Sequence, residues 1–220
     1  MKKPRFVSFD LDGTLVDYSF ANAVWLEGIP RLYAEEKDVN ADMAKISVKE
    51  EYDKVGMKRL EWYDINYWLN RFRLTPKNWT MLLREYKHLI KPYPETSEIL
   101  QTLRDANYTL IVISNAAREF LDAELEETNI ASYFKHAFSA TSDFHQVKKT
   151  ADLYQKILNI LDSQPSDVVH VGDDWQFDYI ASREAGIKSF FLDRKEQKSG
   201  NHIVKNLTEL VSRIQQTSLS

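Results

Sequence analysis

The chain has 220 residues, a net charge of −4 with acidic and basic residues interspersed, and no cysteine. That length accommodates one α/β domain with a sizeable insertion. Lack of cysteine excludes disulfides, thiol nucleophiles and Cys-bound zinc, so any metal must be held mainly by oxygen, and it suits a reducing cytosol.

No basic stripe is present to offset phosphate repulsion, so polymeric nucleic acid is not an expected partner. No apolar run approaches spanning length, and MKKPRFVSFD is too short in its apolar part for a signal-peptide core. The chain therefore reads as soluble and cytoplasmic, without a membrane partner.

In chain order, short β-branched and aromatic runs recur at 5–9, 108–113, 136–140, 167–171 and 188–192. They are short and mostly too apolar for half-exposed strands, and read as buried parallel strands. Helical patterns at 95–107, 116–129, 150–161 and 178–187 separate them, and a last one covers 203–216. This alternation predicts an α/β fold with a doubly wound, Rossmann-like parallel sheet, whose ligands sit at the carboxyl ends of the strands. Residues 19–90 break the alternation and read as an all-helical insertion, a cap domain against a core made of 1–18 and 91–220. Thr75-Pro76 reads as a helix start within the cap, and Lys91-Pro92-Tyr93-Pro94 as a stiff return to the core.

Chemistry-bearing residues fall at the ends of the predicted strands. Asp10 and Asp12, two apart, point the same way if extension continues past the first strand, and Gly13 then allows a sharp turn. Their like charges push the two pKa values apart, so that one can stay ionised while the other carries a proton. Thr14 adds a hydroxyl for orientation. Asp173, Asp174 and Asp178 follow the strand at 167–171. If several of these five carboxylates converge, each like pair near 4 Å costs about 4 kcal/mol at an effective dielectric near 20. A hard divalent cation, magnesium above all, answers that charge. Ser114-Asn115 ends another strand ahead of a helix start, an arrangement suited to phosphate, and Lys148 or Lys149 offers a cation. Taken singly, each of these has a bland reading as a turn, an N-cap or a solvated charge.

Taken together and in order, Asp10-Leu11-Asp12-Gly13-Thr14, Ser114-Asn115, Lys148 and Gly172-Asp173-Asp174 with Asp178 resemble the four motifs of the haloacid dehalogenase (HAD) superfamily. The resemblance implies a magnesium-dependent phosphomonoester hydrolase acting on a small phosphorylated metabolite. Asp10 would be the nucleophile that forms an aspartyl-phosphate, and Asp12 the acid/base. Thr14, Ser114, Asn115 and Lys148 would serve the phosphoryl group. Asp10, the Asp12 carbonyl and Asp173 would hold magnesium, with Asp174 and Asp178 behind them. The third motif departs from the family pattern: it lacks the usual prolines and has His145 in place of glycine. Counting from Ser142 and back from Tyr154 both select Lys148, although the register stays open by one residue. His145 is then a loop residue or a contact at the site rim.

The insertion matches the place of a helical C1-type cap. Its Trp25, Trp62, Trp68 and Trp79 form either the cap's own core or, with Tyr63, Tyr67 or Trp175, a stacking surface for a ring. Three other readings share the scaffold. A haloacid dehalogenase would lack the aspartate found at Asp12, a phosphomutase would keep every motif residue, and a non-catalytic binding protein would have lost one.

Overall fold

The computed structural model of the chain describes residues 4–74 and 79–218, with side chains to 215. Six strands form one parallel sheet: β1 (Phe6–Phe9), β2 (Thr109–Ser114), β3 (Phe134–Ser139), β4 (Val168–Gly172), β5 (Lys188–Leu192) and β6 (Ile203–Val204). Their spatial order is β3-β2-β1-β4-β5-β6, which puts β1 at the centre with the chain winding outward on both sides. Phe9 pairs with Val112 on one side and Val171 on the other. The inner strands β1, β2 and β4 are buried and mostly apolar because both sheet faces are covered there, whereas the edge strand β3, expected to be buried, is largely half-exposed and carries Lys135 and His136. Along β2, Leu110 and Val112 enter one core cluster while Ile111 and Ile113 enter a second.

Helices α6 (Thr96–Asp105), α7 (Arg118–Glu127), α8 (Ala140–Phe144), α9 (Ala151–Ile160), α10 (Ala181–Glu184) and α11 (Leu207–Ser218) accompany the sheet. The helix expected over 203–216 begins only at Leu207, since Ile203 and Val204 pair with Phe191 and Leu192 as an edge strand. Two β-branched residues there fit a helical period as well as a strand, and pairing to β5 decides between them. The pattern at 178–187 is likewise split, into a π-helical turn at Trp175–Ile180 followed by α10.

Between β1 and β2 the chain is helical, with α1 (Ser19–Ala23), α2 (Ile29–Lys37), α3 (Ala41–Val55), α4 (Ile65–Phe72) and α5 (Trp79–Tyr86). The helix start expected at Thr75-Pro76 lies outside the described residues. The insertion leaves and returns through adjacent chain segments. Asp17 N–H donates to the Lys91 carbonyl at 2.9 Å, Tyr93 N–H donates to the Leu15 carbonyl at 3.0 Å, and Val16 and Pro92 pair antiparallel. Trp68 is fully buried among Tyr52, Tyr67 and Phe72, so these rings form the insertion's core. Trp25 continues this aromatic core toward the sheet, stacking at 5.3 Å on Phe120 of α7. Among the described residues, no helix is long and apolar enough to cross a membrane.

Candidate active site

Three strand ends converge. Asp10 follows β1, Ser114 closes β2, and Asp173 follows β4. All three line one cavity of about 250 Å³, whose far wall comes from the insertion, with Trp25, Trp62 and Tyr63. β1 ends at Phe9, where Asp10 N–H still donates to the Val171 carbonyl at 2.9 Å. The chain then folds back on itself: Gly13 N–H donates to the Val16 carbonyl and Leu15 N–H to the Leu11 carbonyl. Asp10 and Asp12 therefore both face the cavity, as the spacing predicts. Gly13 is required twice over. Its φ of +77° is left-handed, and any Cβ there would collide with the Asp173 carboxylate.

One oxygen from each of the Asp10, Asp173 and Asp178 carboxylates can lie within 4.8 Å of the others. Lys149 sits among them with its side chain 1% exposed, its Nζ 2.5 Å from Asp10 Oδ1 and 2.5 Å from Asp178 Oδ1. The expectation of Lys148 as the inward cation is thereby corrected by one residue. α8 ends at His145, which turns left-handed at φ 52°. Four residues later, Lys149 N–H is pinned to Asn115 Oδ1 at 2.9 Å, immediately before Thr150 caps α9 by accepting from Leu153 N–H. This pinned backbone turns neighbouring side chains to different sides. Lys148 points away and lies 4.2 Å over the Phe177 ring.

Burial dominates the electrostatics. It pushes the Asp10 carboxyl well up, with Asp178 adding to the rise and the Lys149 ammonium opposing it. Asp12 is raised to about 6 by burial, and Asp173 to about 6 by burial and then by Asp178. Asp178 is also penalised by burial, but the Lys149 charge and His170 more than offset that and hold it down at about 2. One ammonium thus faces four carboxylates, an excess of negative charge of the kind a hard cation compensates.

Asp178 is held from below. Its Oδ1 is 3.1 Å from His170 Nε2, and Gly172 leaves room for its carboxylate, which a Cβ would strike. His170 is fully buried, which pushes its pKa down, with Ser8 Oγ at 2.9 Å from Nδ1 and Tyr154 Oη at 3.0 Å from Nε2. Asp174 N–H donates to Asp178 Oδ2 at 3.0 Å, while the Asp174 carboxylate caps the turn at Trp175 by accepting from the Gln176 and Phe177 N–H groups.

Other expected residues divide. Ser114 and Asn115 line the cavity, but Ser114 does not cap a helix. α7 begins at Arg118, and the hydroxyl that accepts from Arg118 N–H belongs to Ser142, at 2.9 Å. Thr14 is fully buried and is not among the lining residues. Tyr63 lines the cavity while Tyr67 does not; they do not share one helix, because Asp64 caps α4 between them. Trp175 lies outside the cavity against Tyr179 and Phe191. His145 is exposed and lines a neighbouring cavity that shares Tyr63 with the site.

Two residues were not expected. Tyr18 donates its hydroxyl to Asp173 Oδ2 at 2.9 Å. Glu124 of α7 is fully buried, with its carboxyl facing Asp12 and no other partner reaching its two oxygens among the described residues. Burial and then the Asp12 charge push the Glu124 carboxyl well up. A signal was present: Glu124 occupies the apolar stripe Phe120, Leu121, Leu125 of an amphipathic helix.

Comparison with known proteins agrees with this geometry. The model of the family described as haloacid dehalogenase-like hydrolase matches residues 7–192. A phosphoglycolate phosphatase of Aquifex aeolicus is 28% identical over 193 residues, covering 84% of this chain and 83% of that protein. A GMP/IMP nucleotidase of Escherichia coli is 26% identical over 157 residues, covering 69% and 66%. Among solved structures, a HAD phosphatase from Thermococcus onnurineus superposes with a TM-score of 0.80 at 23% identity, over 96% of this chain and 97% of that one.

Proposed function

Because the chain belongs to the haloacid dehalogenase-like hydrolase family, and because Asp10 and Asp12 share one cavity with a buried lysine, we propose a magnesium-dependent phosphomonoester hydrolase working through an aspartyl-phosphate. The observation that carries this reading is the Asp10–Lys149–Asp178 ion-pair chain beneath the cavity floor. It fixes an ammonium against Asp10, beside the position a phosphoryl group would take.

The donor set fits magnesium: hard carboxylate oxygens only, in excess over their single cation. Asp10, Asp173 and the Asp12 main-chain carbonyl would hold it, and when bound it supplies positive charge against the phosphoryl oxygens. Asp178 is already engaged with Lys149 and His170 and supports the site from behind.

The steps assigned to this chain are two displacements. An Asp10 carboxylate oxygen attacks phosphorus, the bond from phosphorus to the ester oxygen breaks, and Asp12 donates its proton to the departing alcohol. An Asp12 raised to about 6 is suited to that proton. Asp12, now ionised, takes a proton from water as the water oxygen attacks phosphorus. The bond from phosphorus to Asp10 breaks, and inorganic phosphate leaves. Ser114 and Asn115 orient the phosphoryl oxygens from the end of β2, and Lys149 stays protonated throughout. Residues 19–90 act as the cap over a core of 1–18 and 91–220. The substrate is a small soluble metabolite of the cytoplasm.

The test is hydrolysis of p-nitrophenyl phosphate with magnesium and with excess EDTA, followed by mapping of the phosphorylated residue. Turnover only with metal, and a label on Asp10, are expected. Undiminished turnover in EDTA, or a label on another residue, would overturn the mechanism.

A further inference from the structure

Resting on the phosphatase reading, a narrower statement follows from what the cavity walls lack. Among the described residues, Lys149 is the only cation lining the cavity, and both of its ion pairs are internal. The wall facing the strand ends is aromatic, from Trp25, Trp62 and Phe120. Trp25 has Phe120 stacked at 5.3 Å and Trp62 at 6.4 Å, so these rings fill one another's faces and present a closed apolar surface. The polar groups beside it, Asn22 and Tyr63, are uncharged.

Charge beyond the floor is negative. Asp174 lines the cavity together with Tyr63. The neighbouring cavity past Tyr63 continues with Glu61, Asp64 and Glu119. Lysines do occur nearby, at Lys45, Lys49, Lys58 and Lys148, but they line a separate cavity of about 850 Å³ that meets this one only at Trp25 and Trp62. Among the described residues, none of these four lysines lines the cavity at the strand ends.

We propose that the natural substrate is a monoester of a compact alcohol bearing no second anionic group, and that Asp174 with the aromatic wall rejects esters carrying a carboxylate or second phosphate. The leaving group's body packs on Trp25 and Trp62, and its hydroxyl or amide groups meet Asn22 and Tyr63. An added carboxylate would be stripped of water against indole rings and would face Asp174 with no counter-ion. Specificity of this kind acts by placing a repulsive group against the wrong ligand.

Matched esters test this with the full chain in magnesium: 2-hydroxyethyl phosphate against phosphoglycolate, and benzyl phosphate against its 4-carboxy derivative. We expect kcat/KM at least tenfold higher for the neutral member of each pair. In Asp174→Asn, where the amide still caps the turn, that ratio should shrink at least threefold through the acidic ester's KM. Asn22→Arg, which brings a cation to the rim, should shrink it further. Equal or better turnover of the acidic esters by the unaltered enzyme would overturn the inference while leaving the phosphatase reading intact. Failure to hydrolyse any ester, p-nitrophenyl phosphate included, would overturn both.

Discussion

Replacing Lys149 by methionine tests the centre of the site. The ammonium is 2.5 Å from each of two carboxylate oxygens, on side chains 9% and 0% exposed. At an effective dielectric near 20, each contact is worth roughly 7 kcal/mol before desolvation. Most of that is offset by the cost of burying three ions. What removal leaves is two uncompensated carboxylates, a loss of about 3–5 kcal/mol in stability. The loss should shrink as the pH falls, because Asp10, already raised, relieves the repulsion by taking up a proton. Turnover should fall by roughly two to three orders of magnitude, through loss of a fixed charge beside the transferring group. Lys148→Met removes only a contact with the Phe177 ring, about 0.5–1 kcal/mol, and should leave kcat/KM within a fewfold. Asp178→Asn added to Lys149→Met deletes one orphaned carboxylate. It should restore part of the stability and none of the rate, a non-additivity readable in a double-mutant cycle. Denaturant unfolding in EDTA and steady-state kinetics in magnesium supply both measurements. A Lys149→Met protein as stable and active as the parent, or a larger rate loss in Lys148→Met, would refute the placement of the cation.

Asp12 and Asp173, each near pH 6 in the metal-free fold against about 3.8 unfolded, are raised groups, so the folded state holds protons the unfolded chain has lost. Their shifts, about 3 kcal/mol each, penalise the fold fully above pH 6, and the penalty disappears as pH falls toward 4. In EDTA the melting temperature should therefore rise on acidification from pH 7 to 5, and the stabilisation conferred by magnesium should be smaller at pH 5 than at pH 7.5; equal magnesium shifts at both pH values would contradict this. Asp178, held at about 2, loses its contribution only below that window. Asp10→Asn should abolish turnover and phosphoryl labelling, while Asp12→Asn should slow both displacements, so that a label accumulated from an activated ester turns over slowly; prompt release of that label would argue against Asp12 as the base. Glu124→Leu removes the partner that lowers Asp12, so the basic limb of the kcat/KM profile should move to higher pH, whereas Glu124→Gln, keeping a donor, should stay near the parent; coincident profiles for all three would leave Glu124 a packing residue only.

What could be read from the sequence was what repeats or clusters along the chain. Buried parallel strands announce themselves as apolar runs because both sheet faces are covered, and five of the six strands were located within about two residues of their ends, although β3 at the sheet edge is half-exposed. β6 escaped because two residues hold too little pattern to outweigh the helix that follows. The carboxylates at the ends of β1 and β4 were visible because each cluster is local in sequence, and the turn after β1 needs its glycine beside them.

The rest of the site depends on which way a single residue faces, and that is set by contacts far apart in the chain. Lys148 and Lys149 are chemically identical, and counting from Ser142 and from Tyr154 selects Lys148, the one that faces away. The choice between them is made where Asn115, thirty-four positions earlier, accepts from the Lys149 N–H and fixes the segment ahead of α9. Glu124 shows the converse, a long-range partner that leaves a local mark. A carboxyl on the apolar stripe of α7 has no favourable place in a core unless another polar group meets it there. In this fold that group is Asp12, in the turn that follows β1. A buried acid in an otherwise apolar face is thus a signal that no motif around Glu124 records, and its effect on Asp12 follows from the burial of the two carboxyls beside each other.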